Sequence, residues 1–278
     1  MSCLSTRRVV VPGVCLAAIV VAAGSFAAEP GKGKKAPRAF DPIKQFDHLG
    51  IFTAEKKPDS RLVAASRVWV TDIEAHPYRV EWLRRDKPGK GPVRPNPHVA
   101  FRVDNIAAAF KELGVRSKPF DAGIAKVGFF QTDDGATIEF MEYYPTAAKS
   151  TATRKKEAAK PRLRFDHVGF IADDKKPGER FVPATKVWVT DIAAHPYRVE
   201  WLRFEPDSPV ESPVRDQPHV AFRVDSIAEA AKGLKVLIEP FEAGIARVGF
   251  YQTDDGAVVE FMEYFEKPAE GSTPSRSR

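Results

Sequence analysis

The chain has 278 residues, 43% of them apolar, and a formal net charge of +6. Its basic surplus falls in residues 1–38, 146–164 and 266–278, which leaves the sequence between them mildly acidic. This distribution argues against nucleic-acid binding, which needs a basic face on the folded unit. Cys3 and Cys15 both lie near the N-terminus, so the remainder has no cysteine for a disulfide bond or a thiolate ligand.

The first 28 residues have the layout of a secretory signal peptide. Arg7 and Arg8 precede an apolar stretch over 9–23, and small residues follow it up to Ala28. This stretch is shorter than the roughly 20 residues that a membrane span needs. We expect cleavage after Ala27, export to the periplasm or the medium, and no stable membrane span afterwards. The two arginines leave open whether export follows the general or the twin-arginine route.

Two long segments of the chain carry nearly the same text. Residues 46–145 contain FDHLGIF, RVWVTDIEAHPYRVEWL, PHVAFRVD and GFFQTDDGATIEFMEY, and residues 165–265 repeat these blocks with few changes. Such repetition indicates one domain type of about 100 residues duplicated in tandem. From the composition between the blocks we also predict a disordered basic segment at 29–45, a flexible basic linker at 146–164 and a disordered tail at 266–278.

Alternation of apolar and polar residues predicts short strands in each repeat. In the first repeat they cover 46–52, 67–71, 79–84, 98–103, 125–132 and 136–143. Asp133-Asp134-Gly135 predicts a hairpin turn with glycine at positive φ. A helix is predicted at 104–113, capped by Asp104 and closed by Gly114, with a counterpart at 225–234. The predicted fold class is therefore α+β and rich in sheet.

Each repeat also contains a fainter internal duplication. In both halves a histidine lies on a leading strand and a glutamate lies on the second strand of a hairpin, as in His48 with Glu81 and His98 with Glu139. Each repeat is thus predicted to consist of two related half-modules. The first half-module is shorter, and the sequence predicts no helix in it.

These blocks resemble the vicinal oxygen chelate superfamily, which includes glyoxalase I, extradiol dioxygenases, methylmalonyl-CoA epimerase and bleomycin or fosfomycin resistance proteins. The resemblance is carried by PHVAFRVDNIAAAFKEL with GFFQTDDGATIEFME and by their counterparts in the second repeat. It implies paired βαβββ modules that form a curved sheet around a pocket. Compared with that unit, the first half-module is predicted to lack the helix and one strand. The resemblance also implies that a divalent metal (Zn, Ni, Fe or Mn) is bound in each repeat, by His48, Glu81, His98 and Glu139 and by His167, Glu200, His219 and Glu260.

The residue types themselves suit such a centre. Alternate residues of a strand share a face, so histidines and glutamates on neighbouring strands can point into one concavity. Two imidazoles with one or two carboxylates suit these metals and leave positions for a substrate with adjacent oxygens. The alternative is that the same side chains line a pocket and hydrogen-bond to one another. The sequence also leaves open an oligomer, and whether modules pair within a repeat, between repeats or between subunits.

The resemblance implies a lyase or isomerase of the glyoxalase type that acts on a small oxygen-chelating molecule, and the leader predicts that it is exported. Glu139 and Glu260 would then be the bases that take a proton from a carbon acid. Two other functions stay open, namely a protein that binds or sequesters a small molecule without chemistry, and an Fe(II) extradiol-type dioxygenase. The exported location argues against a glutathione adduct as substrate, because that thiol would be scarce there.

Three further kinds of side chain recur at matching places in both repeats. His76 and His195 lie in the turns AHPYR and are predicted to be solvent-exposed. The tryptophans, among them Trp82 and Trp201, are predicted to lie in the core or an interface. Arg79 and Arg198 share a strand face with Glu81 and Glu200 if the period of two holds, so they are predicted to pair with these glutamates or to bind an anionic substrate.

Overall fold

A computed structural model describes residues 36–87, 96–145 and 162–265. The first repeat, here domain 1, contains α1 (Pro42–Gln45), β1 (Phe46–Phe52), β2 (Arg61–Val63), β3 (Val68–Val70), β4 (Val80–Arg85), β5 (His98–Arg102), α2 (Ile106–Leu113), β6 (Phe120–Asp121), β7 (Ala125–Gln131) and β8 (Thr137–Tyr143). Domain 2 contains β9 (Arg164–Ile171), β10 (Arg180–Val182), β11 (Val187–Val189), β12 (Val199–Phe204), β13 (His219–Arg223), α3 (Ile227–Ala230), β14 (Lys235–Glu242), β15 (Ala246–Gln252) and β16 (Val258–Tyr264).

Each domain forms one eight-stranded mixed sheet. The strand order is β2-β3-β4-β1-β5-β8-β7-β6 in domain 1 and β10-β11-β12-β9-β13-β16-β15-β14 in domain 2. Strand β1 runs parallel to β4 and antiparallel to β5, which runs parallel to β8. The two half-modules of a repeat therefore join edge to edge within one sheet. This arrangement confirms the predicted sheet-rich α+β tandem and places β4, β1, β5 and β8 side by side.

The first half-module has four strands, so the prediction of one strand fewer was wrong. The additional strand is β2, which pairs with β3 from Arg61 opposite Val70 to Val63 opposite Val68. Three residues are too few for an alternating pattern to be recognised in a sequence. Residues 53–60, between β1 and β2, contain no helix, as predicted.

The two helices differ from their predictions at specific residues. The cap of α2 is Asn105, whose side chain accepts from the amide of Ala108, rather than Asp104. Gly114 closes α2 in the left-handed region with φ 64°, as predicted. Helix α3 ends at Ala230, well short of residue 234. Gly233 stands where α2 has a helical residue, and its φ of 81° turns the chain into β14 instead.

One continuous apolar core joins the two domains. The rings of Phe46 and Phe165 stack with centroids 3.9 Å apart, and Tyr78 of domain 1 lies 5.8 Å from Phe261 of domain 2. Tyr197 is fully buried among aromatic rings of domain 1. Because the core is shared, each sheet buries one face against the other domain.

Part of the segment predicted to be disordered has a defined structure. Residues 36–45 include α1 and, before it, Phe40, whose ring lies 5.1 Å from Phe101 and 5.4 Å from Tyr197. An aromatic ring in the shared core fixes a segment that composition alone marks as basic and unpatterned. The predicted leader, the linker up to residue 161 and the tail lie outside the described residues. Among the described helices, none is long and apolar enough to cross a membrane.

Candidate metal centres

Four side chains from the four central strands of domain 1 converge on one point. His48 comes from β1, Glu81 from β4, His98 from β5 and Glu139 from β8. Glu139 Oε2 lies 3.0 Å from His98 Nε2 and 3.3 Å from His48 Nε2. Glu81 Oε2 lies 3.5 Å from His48 Nε2, and the two Nε2 atoms are 3.3 Å apart.

Domain 2 repeats this cluster with its own residues. Glu260 Oε2 lies 3.1 Å from His219 Nε2 and 3.3 Å from His167 Nε2, and Glu200 Oε2 lies 3.7 Å from His167 Nε2. All eight residues predicted as ligands thus lie in two clusters, each built within one sheet. In the structure the modules pair within a repeat.

The donor atoms of these clusters fit a metal ion. Atoms of His48, Glu81 and His98 lie within 4.8 Å of one another, as do those of the matching residues in domain 2. Glu139 Oε2, His167 Nε2 and His219 Nε2 are buried without an aligned hydrogen-bond partner, although each lies close to another donor of its cluster. Unsatisfied buried groups are costly. A divalent cation would satisfy them, and the mixed nitrogen and oxygen donors suit Zn²⁺, Ni²⁺, Fe²⁺ or Mn²⁺.

Asp47 orients the imidazole of His48, a role that the sequence analysis missed. Its fully buried carboxylate accepts from His48 Nδ1 at 2.8 Å and from the Tyr143 hydroxyl at 3.1 Å. The Nδ1 contact fixes the ring so that Nε2 faces the donor cluster, which is the usual support of a ligating histidine. In domain 2, Asp166 accepts from His167 Nδ1 at 2.9 Å. The pairing register shifts between Phe46 and His48. This bulge lets the side chains of Asp47 and His48, which are adjacent on the strand, reach each other.

Arg79 belongs to the same network, so the prediction that it pairs with Glu81 was wrong. Its Nη2 lies 3.0 Å from Asp47 Oδ2 and its Nε donates to the Asp47 carbonyl at 2.6 Å. Arg198 makes the same contacts with Asp166. The reason is the backbone at Arg79, where φ is +56° and β4 begins only at Val80, so the strand period does not extend to the arginine.

Gly50 provides the space that His98 occupies. The two residues face each other across β1 and β5, and a Cβ at Gly50 would lie 2.0 Å from His98 Cε1. The opposite side of the imidazole meets the ring of Phe129, at 5.2 Å between centroids and an interplanar angle of 90°. Gly169 stands in the same relation to His219, with a Cβ distance of 2.0 Å. The second histidine of each centre is therefore held between bare backbone and an aromatic ring.

A cavity of about 270 Å³ opens from the donor cluster of domain 1. Its walls are mostly apolar and include Val70, Leu83, Phe129 and Met141. Besides the four donors, the polar residues that line it are Arg61 and Ser66. The side chain of Arg61 is exposed, and its Nη1 donates to the Ala122 carbonyl at 3.2 Å. This volume suits a small organic molecule.

The buried groups of the cluster hold charges that balance one another. Burial disfavours a charged His48, but Asp47 and Glu139 outweigh it and raise the pKa of His48 to about 10. The pKa of Glu139 falls to about 2, because contacts with His48 and His98 outweigh its burial. Burial, opposed in part by His48, raises the pKa of Glu81 to about 7. Because ligands of a cation must be deprotonated, metal and protons compete for this cluster.

His76 and His195 lie between the domains, so the prediction that they are exposed was wrong. His76 Nε2 lies 3.3 Å from Asp255 Oδ2 of domain 2, and His195 Nε2 lies 3.4 Å from Asp134 Oδ2 of domain 1. Only 10% of the His76 side chain is exposed. The prediction of a core or interface position is confirmed for Trp82, which is 7% exposed and also contacts Asp255.

No family model and no curated protein matches the chain. Solved structures that it is similar to include a Mn(II)-bound glyoxalase from Novosphingobium aromaticivorans, at 15% identity over 81% of this chain and 83% of that one, with a TM-score of 0.44. A catechol 2,3-dioxygenase matches at 11% identity over 82% and 90%, with a TM-score of 0.44. The 2,2',3-trihydroxybiphenyl 1,2-dioxygenase of Sphingomonas wittichii matches at 15% over 79% and 90%, with a TM-score of 0.39.

Glyoxalases and extradiol dioxygenases are two branches of the vicinal oxygen chelate superfamily that the sequence resembles. At TM-scores below 0.5 these likenesses carry no information on the activity of this chain. The strand order is independent of them and gives each repeat the architecture that the resemblance implied, two joined modules around a donor cluster.

Proposed function

We propose that this chain is an exported protein that binds a divalent metal in each domain and acts as a lyase or isomerase of the glyoxalase type. The observation that carries the proposal is the donor set. Two histidines and two glutamates from four adjacent strands surround one point at the base of an apolar cavity. The four-residue set favours this chemistry over ring-cleaving dioxygenation, for which two histidines and one carboxylate suffice.

The proposed ligands are His48, Glu81, His98 and Glu139 in domain 1 and His167, Glu200, His219 and Glu260 in domain 2. When bound, the cation would supply Lewis-acid stabilisation of negative charge on two adjacent substrate oxygens. The protein holds the donors in place through the Asp47 and Asp166 carboxylates and through the close packing of each second histidine.

Glu139 and Glu260 are the proposed bases. Each takes a proton from the carbon next to a substrate carbonyl and returns it to the former carbonyl carbon. Glu139 is almost fully buried, and its Oε2 faces the donor cluster, 3.0 Å from His98 Nε2 and 3.3 Å from His48 Nε2, where a chelated substrate would lie. Its lowered pKa keeps the carboxylate ionised at neutral pH.

The cavity supports a small substrate with three recognisable parts. Adjacent oxygens would lie at the donor cluster, and an apolar body would contact walls such as Val70 and Phe129. Arg61 is the one arginine or lysine among the described residues that line the cavity, so an anionic group at the far end of the substrate would find a partner there. The signal-peptide layout of the first 28 residues supports the proposed export.

The test combines metal analysis with carbon-acid exchange. Mature protein from its own host should contain two equivalents of metal per chain. In D₂O the protein should replace the protons next to the carbonyl of small 2-hydroxy ketones with deuterium. Proton NMR of the ketone measures this exchange. Replacing both bases (Glu139→Gln with Glu260→Gln) should abolish exchange while the chain stays folded. Glu229→Gln is the control, because that glutamate is exposed and pairs with Lys232.

Two outcomes would overturn the proposed activity. Metal-free protein that binds small molecules without exchanging protons would favour a binding or sequestering protein. Iron-loaded protein that consumes oxygen with catechols would favour a dioxygenase.

A further inference from the structure

Each domain extends one hairpin turn onto the other domain. Asp255, in the turn between β15 and β16, accepts from Trp82 Nε1 at 2.6 Å and contacts His76. Its carbonyl accepts from Lys57 Nζ at 2.9 Å, and this lysine also lies over the Trp82 ring, 4.6 Å from its centroid. A charged turn residue of domain 2 is thus held by three side chains of domain 1.

The reciprocal contacts are almost the same. Asp134, in the turn between β7 and β8, accepts from Trp201 Nε1 at 2.7 Å and lies beside His195. Its carbonyl accepts from Lys176 Nζ at 2.8 Å, and the lysine lies 4.1 Å from the Trp201 centroid. The arrangement therefore occurs twice, once in each direction across the interface.

These contacts hold the residues on either side of the glutamate that each centre takes from its first half-module. Trp82 follows Glu81 on β4, so its ring points to the opposite face of the strand. His76 Nδ1 accepts from the amide of Val80, the residue before Glu81, at 3.1 Å. Asp255 contacts both Trp82 and His76, and so fixes β4 on either side of the glutamate. In domain 2, His195 Nδ1 accepts from the amide of Val199 at 3.2 Å, and Trp201 follows Glu200.

Glu81 and Glu200 are the donors that most need this support. They lie farthest from the first histidine of their centre, at 3.5 Å and 3.7 Å, against 3.3 Å for Glu139 and Glu260. Neighbouring residues on a strand move together, so a shift of Trp82 displaces the Glu81 carboxylate.

We propose that Asp255 is a positioning residue for the metal centre of domain 1 and that Asp134 is a positioning residue for the centre of domain 2. Each centre is then completed by a hairpin of the other domain. This inference rests on the metal binding proposed above. Groups that orient a ligand from outside typically change metal affinity by about 10-fold to 100-fold when they are removed.

The test measures one centre at a time. In His219→Ala the centre of domain 1 is the one that still binds metal. Isothermal titration calorimetry with Mn²⁺ alone then measures the affinity of that centre. In this background Asp255→Asn should lower the Mn²⁺ affinity about 10-fold or more. Asp134→Asn, the matched control, should change it less than about 2-fold. In the His98→Ala background the two substitutions should exchange their effects.

A second variant separates positioning from general loosening of the interface. Trp82→Phe keeps an aromatic ring in the core but removes the N–H that Asp255 accepts, so it should weaken the centre of domain 1 alone. Equal effects of both aspartate substitutions on both centres, or no effect of either, would overturn the inference and leave metal binding intact. Absence of Mn²⁺ uptake by the unmodified chain would instead overturn the proposed function and the inference together.

Discussion

Helix α2 of domain 1 has eight residues and helix α3 of domain 2 has four, whereas the edge strand has two residues in β6 and eight in β14. The donor clusters show no such divergence. The distances from Glu139 Oε2 to the two histidine Nε2 atoms of domain 1 are 3.3 and 3.0 Å. The distances from Glu260 Oε2 to those of domain 2 are 3.3 and 3.1 Å. The centre is therefore set by the four central strands and tolerates change on the helical side of the sheet.

The two domains also fill the same space with different residues. In domain 1 the Phe110 ring of α2 lies against Gly128, where a Cβ would be 2.6 Å from it. Domain 2 has Ala231 in place of that phenylalanine. There the hydroxyl of Tyr251 occupies the position, 2.8 Å from a Cβ at Gly249. An aromatic ring packs against the glycine in both cases, but it comes from a helix in one domain and a strand in the other.

The largest effect should come from a substitution that disturbs the packing between the central strands of one domain. Gly50→Ala places a Cβ where the His98 imidazole lies, so the ring must move and domain 1 should lose its metal. Metal content should fall from two equivalents to one, as in His98→Ala, although all four donors remain. Gly169→Ala should remove the other equivalent. Two equivalents in Gly50→Ala would show that the imidazole has room to move, and two in His98→Ala would favour the pocket-lining interpretation.

A smaller effect should follow from substitutions on the helical side of the sheet, where the two domains differ. Phe110→Ala should lower the free energy of unfolding by about 3–5 kcal/mol, because it leaves a cavity beside Phe130 and Phe140. Tyr251→Ala should be comparable in domain 2, since it empties the equivalent space. Denaturant titration measures both, with Phe110→Leu as a milder control. Metal content should stay at two equivalents, and a loss would mean that the helical side does support the centre.

The smallest effect should come from the rim of the domain 1 cavity. Arg61→Gln in the His219→Ala background should weaken binding of 3,4-dihydroxybenzoate to the Mn²⁺-loaded protein about 10-fold, which corresponds to one lost charged hydrogen bond. Catechol has no carboxylate and should bind as before. Arg116→Gln is the control, because this arginine is exposed and does not line the cavity. Equal weakening of both compounds would contradict an anion-binding role for Arg61.

The donor residues could be predicted because they recur at matching places in repeated strand patterns. Asp47 could not, because adjacent residues on a regular strand face opposite sides and the bulge that lets Asp47 bond to His48 has no signature in the letters FDH. The same limit applies to Arg79, whose positive φ interrupts the period that its neighbours follow.

Other features depend on contacts between distant segments. Gly50 is needed because the register of β1 and β5 sets it opposite His98, and no local pattern specifies that register. His76 has the sequence of an exposed turn, and only the packing of the domains buries it against Asp255. The helix at 225–234 was overestimated because one glycine, Gly233, outweighs the pattern around it.

The reciprocal aspartate contacts have the form that a symmetric homodimer would give. In such a dimer every contact between residue i of one subunit and residue j of the other occurs twice, because the symmetry also places j of the first subunit against i of the second. Two identical single-repeat chains would make these contacts only above a threshold concentration, whereas one chain makes them intramolecularly at every dilution. Fusion also removes the constraint that both halves change together. A substitution beside one metal centre is then no longer imposed on the other, so the surroundings of the two centres are free to diverge and to accept different ligands.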